Sequence, residues 1–191
     1  MPELEDNIEK RILEWGDGLE KFSLPGWDDI PDFGLYMEQV IAVMTKYLEF
    51  FSDPDAGTQP VTAAAVNNYV RAKLMPKPEG KKYYRRHIVY LIMICVLKQN
   101  MSMSSIERLL PGEYSEEELK EQYSEFTELF STAREYFVEH IKQSVSDRRA
   151  AGGRLTGVRY VKIMSILGGM SGRMVSWLMG GADVAKADSE D

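Results

Sequence analysis

Between residues 62 and 86 the chain carries side chains suited to reading a nucleic-acid duplex. Ala64, Asn68 and Arg71 fall on one side of a helical wheel, with Asn67 beside them; Val66, Tyr69, Val70 and Leu74 fall on the other. An asparagine amide can bond an adenine edge through one donor and one acceptor, and an arginine can reach guanine or a phosphate. Small alanines let the backbone approach and can touch a thymine methyl. Thr62 caps the start of this helix. Beyond it, Lys77, Lys81, Lys82, Tyr84, Arg85 and Arg86 surround a turn, Pro76-Lys77-Pro78-Glu79-Gly80. Flexible cations on a turn beside a recognition helix can straddle phosphates, and tyrosine hydroxyls add neutral bonds. These eleven residues, from Thr62 to Arg86, are the expected DNA contacts.

The charge distribution agrees. The formal net charge is −7, yet residues 71–110 hold 9 basic and 2 acidic side chains. Residues 1–70 hold 4 basic and 14 acidic, and residues 111–191 hold 10 and 14. Phosphates respond to local potential within about 10 Å at physiological salt, so the basic block outweighs the total. Seven of the sixteen residues from 71 to 86 are basic, against one acid, Glu79.

Other chemistries find no support. No nucleophile–base pair can be assembled, so no enzymatic activity is expected. The two histidines and the single cysteine are far apart in sequence, without metal-ligand spacing, and no cofactor is expected. Gly168-Gly169 and Gly180-Gly181 do not form a phosphate loop. Cys95 lies in an apolar run and reads as an inert core thiol. His87 and His140 read as packing residues. No signal peptide or membrane span is visible, so a cytoplasmic location without integral membrane association is expected.

The elements that must position these residues read as all-α. A short helix near 3–15 precedes a loop through Gly16 and Gly18. A second helix starts at Pro31-Asp32 and carries Tyr36, Val40, Val43, Met44, Tyr47, Leu48 and Phe51 at helical spacing. The helix at 62–74 comes next, then a β-like excursion at 81–84. Residues 85–99, apolar on nearly every side, predict a central helix. Ser102 caps a short helix, and Ser115 with Glu118 forms a capping box opening a long one, to about Arg148. Along it, Leu119, Tyr123, Phe126, Phe130, Ala133 and Phe137 alternate four and three apart, a seam suited to a core or to a homodimer through 115–148. Residues 155–181 are apolar but glycine-broken. The expected organisation is a domain at 1–110 with its motif at 58–110, a helical region at 111–182 and a disordered acidic tail at 183–191.

The run Ala65-Val66-Asn67-Asn68-Tyr69-Val70-Arg71-Ala72-Lys73-Leu74-Met75-Pro76, then Gly80-Lys81-Lys82-Tyr83-Tyr84, resembles the winged helix-turn-helix of mercury-resistance-type transcriptional regulators. The resemblance implies a small β-wing, with Gly80, Lys82 and Tyr84 on the family's glycine, arginine and tyrosine. The chain departs from that family at Asn67, where an arginine is usual, and at Lys73, where a glycine precedes the leucine. The family's metal-binding cysteines have no counterpart. Over about residues 24–110, Ile30-Pro31-Asp32, Leu35-Tyr36-Met37-Glu38-Gln39-Val40, Val66-Asn67-Asn68-Tyr69-Val70, Lys81-Lys82-Tyr83-Tyr84 and Leu97-Lys98-Gln99 resemble an uncharacterised bacterial domain family, which implies no activity. The functional expectation is a transcriptional regulator binding double-stranded DNA as a dimer. The alternative is a non-enzymatic adaptor that docks the same domain on an acidic protein.

Overall fold

A helix without a polar side must be surrounded, and the segment Arg85–Leu97 is. In the computed structural model, which describes residues 8–52, 59–110, 112–150 and 157–187, seven helices are present among the described residues. They are α1 (Ile8–Lys21), α2 (Met37–Tyr47), α3 (Ala63–Arg71), α4 (Arg85–Leu97), α5 (Met103–Leu109), α6 (Glu116–Ala150) and α7 (Gly157–Ala187). The chain is mainly helical, and by compactness it forms two units, residues 23–131 and residues 1–22 with 132–191. The first unit thus extends past the boundary expected at residue 110.

In the 23–131 unit α4 is the axis: residues 88–94 are at most 1% exposed. Burying such a side chain contributes about 1.5–3 kcal/mol, enough to make α4 the element the others pack around. α2 packs against α3 and α4, turning Val40, Met44 and Leu48 inward. Helix α3 contributes Val66 and Tyr69, α5 contributes Ile106, and the start of α6 contributes Leu119 and Tyr123. The Tyr123 hydroxyl donates to the Pro25 carbonyl at 2.7 Å. The expected caps form: Thr62 Oγ1 accepts from Ala65 N at 3.2 Å, Ser102 Oγ from Ser105 N at 3.2 Å, and Ser115 with Glu118 closes its capping box at 3.2 and 2.8 Å.

Several expectations are corrected. Helix α2 begins at Met37 rather than at Pro31, because Leu35 pairs both its backbone groups with Tyr83 at 2.8 Å. Tyr36, placed inward by periodicity, is 56% exposed. The β-wing is not built as strands: among the described residues there are only two isolated bridges, Leu35 with Tyr83 and Glu79 with Lys82.

In the other unit, Ile8 and Ile12 of α1 pack on Ile141 and Val145 of α6, with Leu13 and Tyr160 against them. Helix α1 runs through Gly16 and Gly18 where a loop was expected. Gly16 is buried, and a Cβ there would stand 3.6 Å from the Ile141 side chain, an ordinary contact distance, so α1 meets α6 at this position. Lys142 bridges to Glu20 at 2.8 Å, and Arg134 donates to the Phe22 carbonyl at 2.6 Å. The Lys142 ammonium holds the Glu20 carboxyl below its usual range, and Lys21 and Arg134 add to the same direction. His140 is exposed, against the packing role expected of it. Residues 155–181 were read as broken by glycines, yet α7 is continuous across Gly168, Gly169 and Gly172 and takes in the first part of the expected tail, to Ala187. Residues 188–191, the end of the expected tail, lie outside the described residues. No helix among the described residues is long and apolar enough to cross a membrane.

Candidate nucleic-acid interface

Helix α3 buries Val66 and Tyr69 and leaves Thr62, Ala64, Asn67, Asn68 and Arg71 exposed. The face proposed by the wheel is therefore open to solvent. Asn68 and Arg71 do not stand apart: Arg71 Nη2 donates to Asn68 Oδ1. A carbonyl oxygen has a second lone pair, and the Asn68 amide keeps its donors, so the pair still presents both functions outward.

The helix closes through a left-handed cap. Lys73 N donates to the Val70 carbonyl at 3.1 Å and Leu74 N to the Tyr69 carbonyl at 3.0 Å, with Lys73 at φ 58°. This is a Schellman motif, which normally takes glycine at that position. It returns Leu74 to the core at 1% exposure. Gly112 lies under the same cap, where a Cβ would come within 2.5 Å of the Lys73 carbonyl. Lys73 is exposed.

The following turn repeats the pattern. Glu79 and Lys82 exchange two backbone bonds at 3.0 and 2.9 Å around Gly80 at φ 54° and Lys81 at φ 66°. Both central residues being left-handed makes this a type I′ turn, and a lysine occupies its second position. Lys73 and Lys81 are the two non-glycine residues with positive φ among those described. Each costs about 1–2 kcal/mol relative to glycine. Strain of this kind is tolerated where the side chain is needed, and here both side chains are exposed cations.

His87 holds this apparatus in place. It is fully buried; its Nδ1 accepts from Tyr84 N at 3.0 Å and its Nε2 faces the Lys77 carbonyl at 3.0 Å. The first bond requires a bare Nδ1, so the proton sits on Nε2 and donates to Lys77. The imidazole is thus neutral, it caps α4, and it ties the turn to the core. Burial pushes its pKa below the usual value, with Arg86 adding to the same direction.

The remaining expected contacts are engaged internally to different degrees. The Lys82 stem passes over Gly34, where a Cβ would lie 2.8 Å from its Cδ, and its ammonium stands 5.6 Å from the centre of the Tyr36 ring. Tyr84 is half-buried beside it. Arg85 donates through Nε to the Ile30 carbonyl at 2.8 Å, its guanidinium 5.6 Å from the Trp27 ring centre. Arg86 donates to the Tyr114 carbonyl at 3.3 Å. These arginines line a cleft of about 290 Å³ with Asp32, Glu79 and Glu116, whose carboxylates offset their charge. Lys77 and Lys81 are exposed. Thr62, though exposed, uses its Oγ1 for the cap of α3, so the open set is Ala64, Asn67, Asn68, Arg71, Lys77 and Lys81. Lys73 joins them, a residue sequence reasoning registered only as a departure from glycine.

Cys95 is buried and its thiol pKa is pushed up to about 12 by that burial, so it stays protonated. Among the described residues, no cluster of histidine, cysteine or carboxylate could hold a metal ion.

A family model described as a domain of unknown function, DUF1836, matches residues 25–130. That span follows the compact 23–131 unit and includes all of the open set. No curated protein and no solved structure matches the chain.

Proposed function

This chain belongs to the DUF1836 family, and we propose that its 25–130 domain binds double-stranded DNA, with α3 laid in the major groove and the Glu79–Lys82 turn against the flanking phosphates. The observation that carries the reading is the pairing of an exposed amide-and-guanidinium face on α3 with two lysines kept at left-handed positions beside it. Their strain is accounted for if their charge is what the domain needs. The order α2, α3, reversed turn, α4 supports a likeness to the winged helix-turn-helix of mercury-resistance-type regulators, with a wing reduced to one turn. Asn68 and Asn67 would meet base edges, and Arg71, Lys73, Lys77 and Lys81 would meet phosphates, in a role in transcription regulation.

Fluorescence anisotropy with a random duplex, titrated over a range of salt, tests this. Four phosphate contacts predict a log–log slope of about −3.6. A slope near zero removes the reading and leaves docking on an acidic protein as the use of the same face.

A further inference from the structure

Arg85 and Arg86 were expected on the duplex, and the fold withdraws both from the open face. Each is held by one backbone carbonyl, which leaves much of each guanidinium over. Arg85 gives its Nε to Ile30 and lies over the Trp27 ring; neither of its Nη groups has an acceptor among the described residues. Arg86 gives Nη2 to Tyr114; its Nη1 has no acceptor there, and its Nε is buried without a partner. These half-buried arginines line the cleft of about 290 Å³ together with three exposed carboxylates, Asp32, Glu79 and Glu116. Among the described residues none of the three is ion-paired or hydrogen-bonded to either guanidinium. Guanidinium and carboxylate form strong paired bonds when they can close on each other, and buried donors left unmet are uncommon. Here the carbonyls of Ile30 and Tyr114 hold the guanidiniums back, so both signs of charge line one space unpaired.

We propose that this cleft binds a free α-amino acid with a cationic side chain, its carboxylate on Arg85 and Arg86 and its two cationic groups against Asp32, Glu79 and Glu116. A guanidinium takes a carboxylate through two parallel N–H bonds. The lining carries three carboxylates against two guanidiniums, and the one negative charge in excess is matched by a basic amino acid but not by a neutral zwitterion. Tyr84, also on the lining, offers a ring to the alkyl chain of the ligand. The volume stands at the lower end of the range of about 300–1,000 Å³ for small-molecule sites, which suits a ligand of this size. A lone phosphate fits less well, since it brings only negative charge to a lining already in excess of it. A metal ion does not fit, because no cluster among the described residues could hold one. Glu79 opens the turn that carries Lys81, so the cleft adjoins the proposed duplex face while using none of its open residues.

Isothermal titration calorimetry of the full chain with L-lysine, L-arginine, L-lysine methyl ester, glycine and sodium acetate tests this. The two basic amino acids should bind. Glycine and the methyl ester, each short of one charged contact, should bind at least about tenfold more weakly, and acetate should give no heat. Arg86→Gln should abolish lysine binding. Glu116→Gln, at an exposed position in the first turn of α6, should leave helical circular dichroism unchanged and weaken L-lysine roughly tenfold, which keeps the test decisive even where Arg86→Gln fails to fold. No heat from either basic amino acid at millimolar concentration overturns the proposal. Lysine affinity unchanged in Glu116→Gln overturns it too, as does a methyl ester that binds as tightly as lysine. Acetate binding as tightly as lysine would reduce the cleft to a simple anion site. The titration uses no DNA, so its failure and a flat salt slope with a duplex are separate results.

Discussion

At the scale of single residues, His87 shows how one buried polar group can set both stability and site geometry. Its ring accepts one bond and donates another only while neutral. Its folded pKa lies below the unfolded value of about 6.5, so the unfolded chain takes up the proton first. The stability it contributes is complete above that value and is lost as pH falls through it toward the folded pKa. Urea denaturation should therefore show a midpoint that drops between pH 7 and pH 5, and His87→Ala should remove that part of the pH dependence while lowering stability throughout. An unchanged pH profile in the variant would place the dependence elsewhere. Lys73 makes an opposite kind of point. Lys73→Gly relieves a left-handed lysine and should stabilise the fold by about 1 kcal/mol. The same change should weaken duplex binding, since it deletes a cation. A rise in thermal midpoint with loss of affinity is the expected pair of readings; a rise with affinity kept would reduce Lys73 to an accident of the helix cap.

At the scale of elements, the proposed complex assigns α3 and the turn after it different kinds of contact, and variants should separate them. Asn68→Ala should cost roughly 1–3 kcal/mol on the preferred site and almost nothing on random DNA. Lys81→Ala should weaken both equally and reduce the salt slope by about 0.9. Lys82→Ala should do less, because the ammonium is already seated by the Tyr36 ring. Anisotropy on a selected site and on a scrambled one reads all three. Equal losses for Asn68→Ala on both duplexes would move Asn68 into the phosphate-contacting group. The α3 seating also has a fixed backstop: Gly112 leaves no room for a side chain under the Lys73 carbonyl, so the loop before α6 bears on the cap of α3.

At the scale of the molecule, α6 contributes to two cores. Tyr123 belongs to the 23–131 unit and is 1% exposed, whereas Ile141 is buried among Ile8, Ile12 and Val145 in the other. Tyr123→Ala should cost about 3–5 kcal/mol and abolish duplex binding with the fold of the family domain. Ile141→Asp buries an unpaired charge and should lower the melting of its own unit while duplex affinity persists. Calorimetry alongside anisotropy checks this. Loss of binding in Ile141→Asp at a temperature where the chain keeps its helical signal would mean that the two units do not act separately.

What the sequence determined by itself is what local rules control. Periodicity located α4 as the central helix, because thirteen apolar-rich residues admit no solvent face. Thr62, Ser102 and the Ser115–Glu118 box capped their helices because a cap satisfies backbone donors within three residues. The exposed face of α3 followed from the wheel, and the family resemblance was legible in short runs of residues. Tertiary structure decided the rest, through partners distant in the chain. Leu35 became a bridge residue rather than helix because Tyr83 offers it two backbone bonds. Gly16 stayed inside α1, buried against the Ile141 side chain, where its residue type had suggested a loop. Arg85 and Arg86 were tied to the carbonyls of Ile30 and Tyr114, contacts that composition does not encode. The aromatic seam of α6 was divided, with Leu119 and Tyr123 taken into the core, while the glycine-rich α7 kept its apolar residues in solvent. A side chain's type states what it can bond; only packing states whether something within the chain has already bonded it.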